Sequence, residues 1–247
     1  MGDDEQVIRV GTAGWSLPRA VQEHFTGDGP HLARYARVFP AVEINSSFHR
    51  PHKPSVYARW AAATPESFRF AVKVPKTITH ASRLAGADDL LDAFIAESAA
   101  LGDRRECLLV QLPPSLALDE GVAGRFFDAL RARWAGDVVL EPRHASWFTA
   151  DANAMLVALR IGRVAADPAR IPGGGAPAGW PGIAYFRLHG SPRTYYSSYD
   201  AEYLAALADR LVAHRVAGTR SWCIFDNTAS GAAAANALEL MRLLAAA

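Results

Sequence analysis

Short apolar runs alternate with helical patterns along the whole chain. The runs Val7–Gly11, Ala41–Asn45, Arg69–Lys73, Cys107–Leu112, Val138–Glu141, Arg163–Asp167, Ile183–His189 and Ser221–Asp226 are rich in Val, Ile and Leu and have strand length. Between them the spacing of apolar positions predicts helices over His31–Phe39, Ser55–Ala63, Asp88–Leu101, Asp119–Trp134, Asp151–Arg160, Asp200–His214 and Gly231–Leu244. Ser55, Asp88, Asp119, Asp151 and Asp200 are of N-cap type, and Gly102, Gly136, Gly162 and Gly218 stand where helices should stop.

Eight strands alternating with helices imply parallel pairing through right-handed crossovers. The expected fold class is therefore α/β, a single (β/α)8 TIM-like barrel over residues 1–247, with a doubly wound sheet as the alternative. One helix is missing between the sixth and seventh strands. There Ile171-Pro172-Gly173-Gly174-Gly175-Ala176-Pro177, followed by Gly179, Pro181 and Gly182, predicts a Gly/Pro-rich loop.

Strand parity then sorts the polar residues. If Val42, Ile44, Phe70, Val72, Leu108, Val110, Val138, Leu140, Phe186 and Leu188 face the helices, Glu43, Asn45, Lys73, Gln111, Glu141, Tyr185, Arg187 and His189 face inward. For Asp226 and Asn227 the parity is ambiguous. Most of these groups fall near the carboxyl ends of strands, where barrel enzymes keep their sites. The structural alternative is an internal salt-bridge layer, such as Glu43 with Arg187.

Composition changes this picture in three ways. Half of the 247 residues are hydrophobic and 21% are charged, which supports a folded core and argues against disorder. Lys plus Arg is 26 against 25 for Asp plus Glu, so no whole-surface attraction to nucleic acid or membrane is expected. The predicted strand ends are different. Lys73, Lys76, His80, Arg83, Arg143, His144, Arg187, His189 and Arg193 there outnumber Glu43, Glu141, Asp167 and Asp226, which points to a small anionic ligand. Cys107 and Cys223 read as packing residues on opposite strands. Met1–Val10 lacks an apolar leader core, and no apolar run nears the roughly 20 residues of a membrane span. The expectation is a cytoplasmic protein without a membrane partner.

Several segments together resemble one family. Gly11-Thr12-Ala13-Gly14-Trp15-Ser16 is similar to an opening G-T-S-G-W motif. Val42-Glu43-Ile44-Asn45-Ser46-Ser47-Phe48, Phe70-Ala71-Val72-Lys73 with Ile78-Thr79-His80, Gln111-Leu112-Pro113-Pro114, Glu141-Pro142-Arg143-His144-Ala145-Ser146-Trp147 and Arg187-Leu188-His189-Gly190 follow in order. Asn227, Gly231 and Asn236-Ala237 complete the pattern. The set resembles the YecE-like family, domain of unknown function 72. The resemblance implies a barrel and no particular activity. Pro142, Asp226 and the Trp-free stretch Leu17–Phe25 depart from the family pattern.

The expected chemistry is hydrolase-type acid–base catalysis on an anionic substrate, a phosphoester or a nucleic-acid phosphodiester among them. Glu141, His144, His189 and Glu43 are the catalytic candidates. Lys73, His80, Gln111, Arg143, Trp147, Arg187, Asn45, Tyr195, Asn227 and Trp15 are the binding candidates. A divalent metal is a candidate cofactor, drawing on Glu43, His80, Glu141, His144, His189 and Asp226, though no motif spacing specifies it. No G-x-S-x-G marks a nucleophilic serine, and His24, His31, His52 and His214 receive no role. The alternatives are a non-catalytic binding module for an anionic metabolite and a sugar isomerase or glycosidase. Glu141 separates the readings: as an anchor its loss should destabilise the fold, and as a strained functional group its loss should leave the fold unharmed; the expectation is the second, with Glu141→Gln holding or raising the melting temperature while turnover falls about a hundredfold or more.

Overall fold

The computed structural model describes residues 8–247, so Val7 and the segment read as leader-free lie outside the described residues. The strands are β1 (Ile8–Thr12), β2 (Ala41–Ile44), β3 (Arg69–Lys73), β4 (Arg105–Gln111), β5 (Asp137–Glu141), β6 (Gly162–Arg163), β7 (Ala165–Asp167), β8 (Ala178–Gly179), β9 (Ile183–Leu188) and β10 (Arg220–Phe225). The α-helices are α1 (His31–Tyr35), α2 (Ser46–His49), α3 (Pro54–Ala62), α4 (Asp88–Ser98), α5 (Glu120–Arg133), α6 (Ala150–Ala158), α7 (Ala201–Val216) and α8 (Ala232–Ala245).

Asp119 and Asp200 cap α5 and α7, accepting from Val122 N and Tyr203 N. Other starts move. Pro54 takes the first position of α3, and Thr149 rather than Asp151 caps α6. The short α2 follows directly on Asn45, so β2 ends at Ile44. Between β7 and β9 the Gly/Pro-rich segment forms the expected loop, with β8 laid antiparallel on β6.

Two sheets form, ordered β1-β10-β9-β7 and β2-β3-β4-β5-β6-β8, with every pairing except β6–β8 parallel. The ladders thus fall short of the single closed cylinder expected of a barrel. At one junction the chain itself crosses between sheets at Val164, whose N–H donates to Leu140 O. At the other, β1 and β2 share one bridge, Ala13 with Glu43, and Gly14 N donates to Glu43 O at 2.8 Å. The Tyr35 hydroxyl spans the rest of that gap. It accepts from Thr12 N at 2.8 Å and donates to Ala41 O at 3.0 Å. Gly11 makes the approach possible, because a Cβ there would lie 2.1 Å from Ala41 O.

Strand parity holds across both sheets. Val42, Ile44, Phe70, Val72, Leu108, Val110, Val138, Leu140, Phe186 and Phe225 join the large core under the helices. Ala41, Ala71, Leu109, Val139, Val164, Tyr185, Trp222 and Ile224 form a second apolar cluster on the other face. Cys107 lies in that second cluster and Cys223 in the first, both as free thiols.

The amino ends of the strands carry a separate ion-pair layer on this second face. A register shift in β3–β4 puts Glu106 opposite Arg9, at a closest approach of 2.5 Å, while Arg220 reaches Asp137 at 2.8 Å. Burial pushes the Asp137 carboxyl up to about 6, against the pull of Arg220. An unfolded Asp titrates near 3.9, so the folded state binds this proton more tightly. Stability at this group is full below about pH 4 and falls as pH rises to about 6, by at most about 3 kcal/mol. Asp137→Asn should therefore gain stability relative to the parent between those pH values. Urea unfolding of both proteins at pH 4 and pH 7 reads the difference, and an unchanged gap would refute it.

Candidate functional site

The second face becomes polar at the carboxyl ends of the strands. Glu43, Lys73, Gln111, Glu141, Arg187, His189 and Asp226 are all buried there. Parity explains the set: Glu43 follows Ala41, Lys73 follows Ala71, Gln111 follows Leu109 and Glu141 follows Val139 on the same face. Asp226 follows Trp222 and Ile224, so the ambiguity at Asp226 and Asn227 resolves with Asp226 in the site.

Arg187 is the centre. Its side chain is 1% exposed and meets three carboxylates. Nη2 lies 2.7 Å from Glu43 Oε1, Nε lies 3.0 Å from Glu43 Oε2, and Nη1 lies 3.1 Å from Glu141 Oε2. Asp226 Oδ2 lies 2.9 Å from Nη2. Tyr185 donates its hydroxyl to Glu43 Oε2 at 2.9 Å, completing that carboxylate's shell. Burial would lower the Arg187 pKa, but Asp226, Glu43 and Glu141 together raise it well above its ordinary value.

A second chain of contacts crosses this hub. His189 Nδ1 is 3.0 Å from Asp226 Oδ2, and its Nε2 is 3.2 Å from Glu141 Oε1. Burial disfavours the imidazolium, yet Glu141 and Asp226 outweigh it and raise the His189 pKa above 6.5. Burial likewise opposes the Glu141 charge, and Arg187, His189 and Arg143 hold the carboxyl well below the usual range. Arg143 Nη2 lies 2.9 Å from Glu141 Oε1. On the other flank Lys73 Nζ donates to Asn45 Oδ1 at 3.1 Å and sits 4.1 Å from the Phe48 ring centroid. Burial and the Arg187 charge bring the Lys73 pKa down to about 8.

Glu141, Arg143, His189 and Tyr195 open onto a narrow cleft of about 40 Å³, whose other wall is the loop from Pro168 to Gly174, Arg170 included. Tyr195 is 41% exposed and sets its ring edge-on to His189, with centroids 5.8 Å apart. His80 packs edge-on to Phe48, and burial with Lys73, Arg143 and Lys76 nearby lowers its pKa. Trp15 packs against Trp60 beside a separate pocket that Asn45 also lines.

Three expected site residues serve the scaffold instead. Trp147 is 1% exposed and donates to Leu116 O at 3.0 Å, so its ring is core. Asn227 is fully buried and ties Ser197 O to Asn236 Oδ1. His144 turns its Nδ1 to Ser146, capping the turn Ala145–Phe148. Arg187 belongs to the site, but four of its five N–H donors are directed at Glu43, Glu141 and Asp226, so it is chiefly the partner of carboxylates rather than a free anion clamp. The local excess of cations is small: Lys73, Arg143, Arg187 and a protonated His189 face Glu43, Glu141 and Asp226. Arg83 bonds Ser115 and Arg193 stacks on Tyr196, both at the surface. Among the described residues no group of three or more His, Cys, Asp or Glu is arranged to hold a metal ion. The Arg187 guanidinium occupies the space between the carboxylates that a cation would take.

The Glu43–Arg187 pair, named from the sequence as the salt-bridge alternative, forms, and Tyr185, read as inward-facing, joins it at Glu43.

Comparison with known proteins adds a family. Residues 9–247 match a family described as "Protein of unknown function DUF72". The UPF0759 protein YecE of Escherichia coli (strain K12) is 34% identical over 143 residues, 58% of this chain and 50% of that protein. The UPF0759 protein YunF of Bacillus subtilis (strain 168) is 26% identical, with 58% of this chain and 53% of that protein covered. The chain thus spans about half the length of the curated relatives it matches. A DUF72 family protein from Enterococcus faecalis V583 has a TM-score of 0.80 at 22% identity, covering 97% of this chain and 96% of that one. One from Thermotoga maritima MSB8 has a TM-score of 0.75 at 24% identity, covering 96% and 99%. At these identities the structural likeness bears on the fold alone.

Glu141 contacts Arg143, Arg187 and His189, which is the anchor geometry and reverses the expectation that its charge could be removed without cost. Glu141→Gln should lower stability at pH 7 by about 3–5 kcal/mol, the scale for removing one partner of a buried ion pair. The Glu141 pKa is depressed, so its contribution is present above the unfolded value and lost as pH falls. Urea unfolding at pH 7 and pH 4 checks both statements: the variant's deficit should shrink at the lower pH. An equally stable variant at pH 7 would remove Glu141 from the anchor role.

Proposed function

The chain belongs to the DUF72 family, whose description assigns no activity, and from the site alone we propose that it is an enzyme of hydrolase-type acid–base chemistry on a small anionic substrate. The observation that carries this reading is His189, bridged between Asp226 and Glu141 at the floor of a cleft that Arg143 and Tyr195 border. An imidazolium with a raised pKa is a proton donor at neutral pH. Arg143 makes its recorded carboxylate contacts with one oxygen of Glu141, and its side chain is 19% exposed, so it can turn part of its fork to a substrate phosphate or carboxylate. Water attacks the ester centre as the bond to the leaving oxygen breaks, His189 gives its proton to that oxygen, and the proton released by the attacking water restores His189.

The fold supports the same placement. With Tyr35 and the Ala13–Glu43 bridge joining β1 to β2, and Val164 joining β6 to β7, the two sheets read as one eight-position barrel. The cleft then lies at the carboxyl-terminal mouth, where such barrels keep their chemistry. A binding module for an anionic metabolite is the second reading, favoured by the ion pairing of Arg187 and the low Glu141 pKa. No helix is long and apolar enough to cross a membrane among the described residues, and a cytoplasmic setting remains part of the proposal.

A screen of phosphomonoesters and phosphodiesters separates the readings. With a turned-over substrate, His189→Asn should reduce kcat by about a hundredfold or more. Arg143→Ala should chiefly raise KM and weaken inhibition by inorganic phosphate. The parent's rate should fall as pH rises through a value above 6.5, because the donor loses its proton. Phosphate binding by the parent without turnover of any ester would favour the binding module. Absence of both would sink the anionic-substrate reading.

A further inference from the structure

A second polar constellation lies on the other flank of the same strand ends, beyond Lys73. Asn45 and Ser46 follow β2 directly. Ser46 Oγ is 2.8 Å from His52 Nε2. His52 is buried, with its ring edge-on to Tyr57 at 5.7 Å and to Trp60 at 5.0 Å between centroids. Trp60 in turn packs against Trp15. Gly14, Trp15, Ser16, His31, Asn45 and Ser46 line a pocket of about 290 Å³. Burial and the Arg50 charge both lower the His52 pKa, so the ring is neutral at pH 7 and one nitrogen is an acceptor.

We propose that Ser46 and His52 are the nucleophile and base of a second catalytic site, for acyl transfer from a small neutral carboxylic ester. A serine hydroxyl within hydrogen-bond reach of a histidine nitrogen, opening on a pocket, is the arrangement nucleophilic catalysis needs. The ring is oriented by aromatic edges rather than by a carboxylate. Asn45 supplies the third part. Its Oδ1 is turned to Lys73 Nζ, which leaves the Nδ2 amide hydrogens as its donors on a residue that lines the same pocket as Ser46. The pocket lining holds no Lys, Arg, Asp or Glu, which suits an uncharged acyl group. The Trp15 ring gives that group an apolar wall.

The steps balance with water as the sole co-reactant. Ser46 Oγ attacks the ester carbonyl carbon as its proton moves to His52 Nε2. The carbonyl oxygen becomes an oxyanion beside Asn45 Nδ2. The ester C–O bond breaks, and the alkoxide leaves as an alcohol with the proton from His52. Water attacks the acyl-serine in the same way, releasing the carboxylic acid and restoring the hydroxyl.

The first test is covalent labelling of the folded parent with a fluorophosphonate probe, followed by peptide mass mapping. The expected result is one label on Ser46. No label, or a label on Ser16 in place of Ser46, overturns the proposal. The second is hydrolysis of p-nitrophenyl acetate and butyrate. Ser46→Ala should abolish the burst of p-nitrophenol, and His52→Gln should reduce both hydrolysis and labelling by about a hundredfold or more. Circular dichroism establishes that each variant is folded. Folded variants that hydrolyse these esters at the parent's rate overturn it, and parent labelling decides the matter should a variant not fold. None of these readouts involves a phosphoester, so they stand or fall apart from the cleft at His189.

Discussion

The carboxyl ends of the strands are organised by one buried cation. Three carboxylates from three strand ends converge on the Arg187 guanidinium, with a fourth contact made through Tyr185 to Glu43. Taking such charges out of water is expensive, and close pairing with full hydrogen bonding is what offsets it. The planar fork of Arg satisfies that need in a way a Lys could not, since Glu43 alone takes contacts from both Nε and Nη2. With Arg187 engaged by carboxylates, the remaining groups acquire distinct roles. His189 holds a proton because two carboxylates share it, and Arg143 at the rim, with Arg170 on the facing loop, presents cations to the cleft.

The same economy appears at the seam between the sheets. Two parallel strands joined by one bridge would leave backbone groups unpaired. The Tyr35 hydroxyl from α1 takes a donor from Thr12 and offers one to Ala41, so a side chain does the work of a ladder rung. Gly11 keeps the strands close enough for this. Glu43 sits at that seam, and its backbone carbonyl binds Gly14 while its carboxylate binds Arg187. The single bridge between the two sheets at this seam and the charge network therefore meet at one residue.

Legibility differed by level. The alternation of apolar runs placed eight strand positions, and parity along each run put Glu43, Lys73, Gln111, Glu141, Arg187 and His189 on one face, as the structure has them. Asp119 and Asp200 were readable as caps because a side-chain oxygen beside a helical run has one favourable use. Asp151 was not, because Thr149 two residues earlier takes the cap. Trp147 and Asn227 looked available for binding because sequence shows a residue's chemistry but not its burial.

What the sequence determined by itself was periodic and local: element type, the loop where Gly and Pro forbid a helix, and the face each strand side chain takes. Its resemblance to a family also stood. What the tertiary structure decided was pairing. Whether Arg187 clamps a ligand or is engaged by Glu43, Glu141 and Asp226 depends on contacts between residues such as 43 and 187, 144 positions apart. Whether His144 or His189 meets Glu141 depends on which way each ring turns after the strand ends. Periodicity carries no such information, because side-chain partners across strands are set by register and by the packing of the helices outside them.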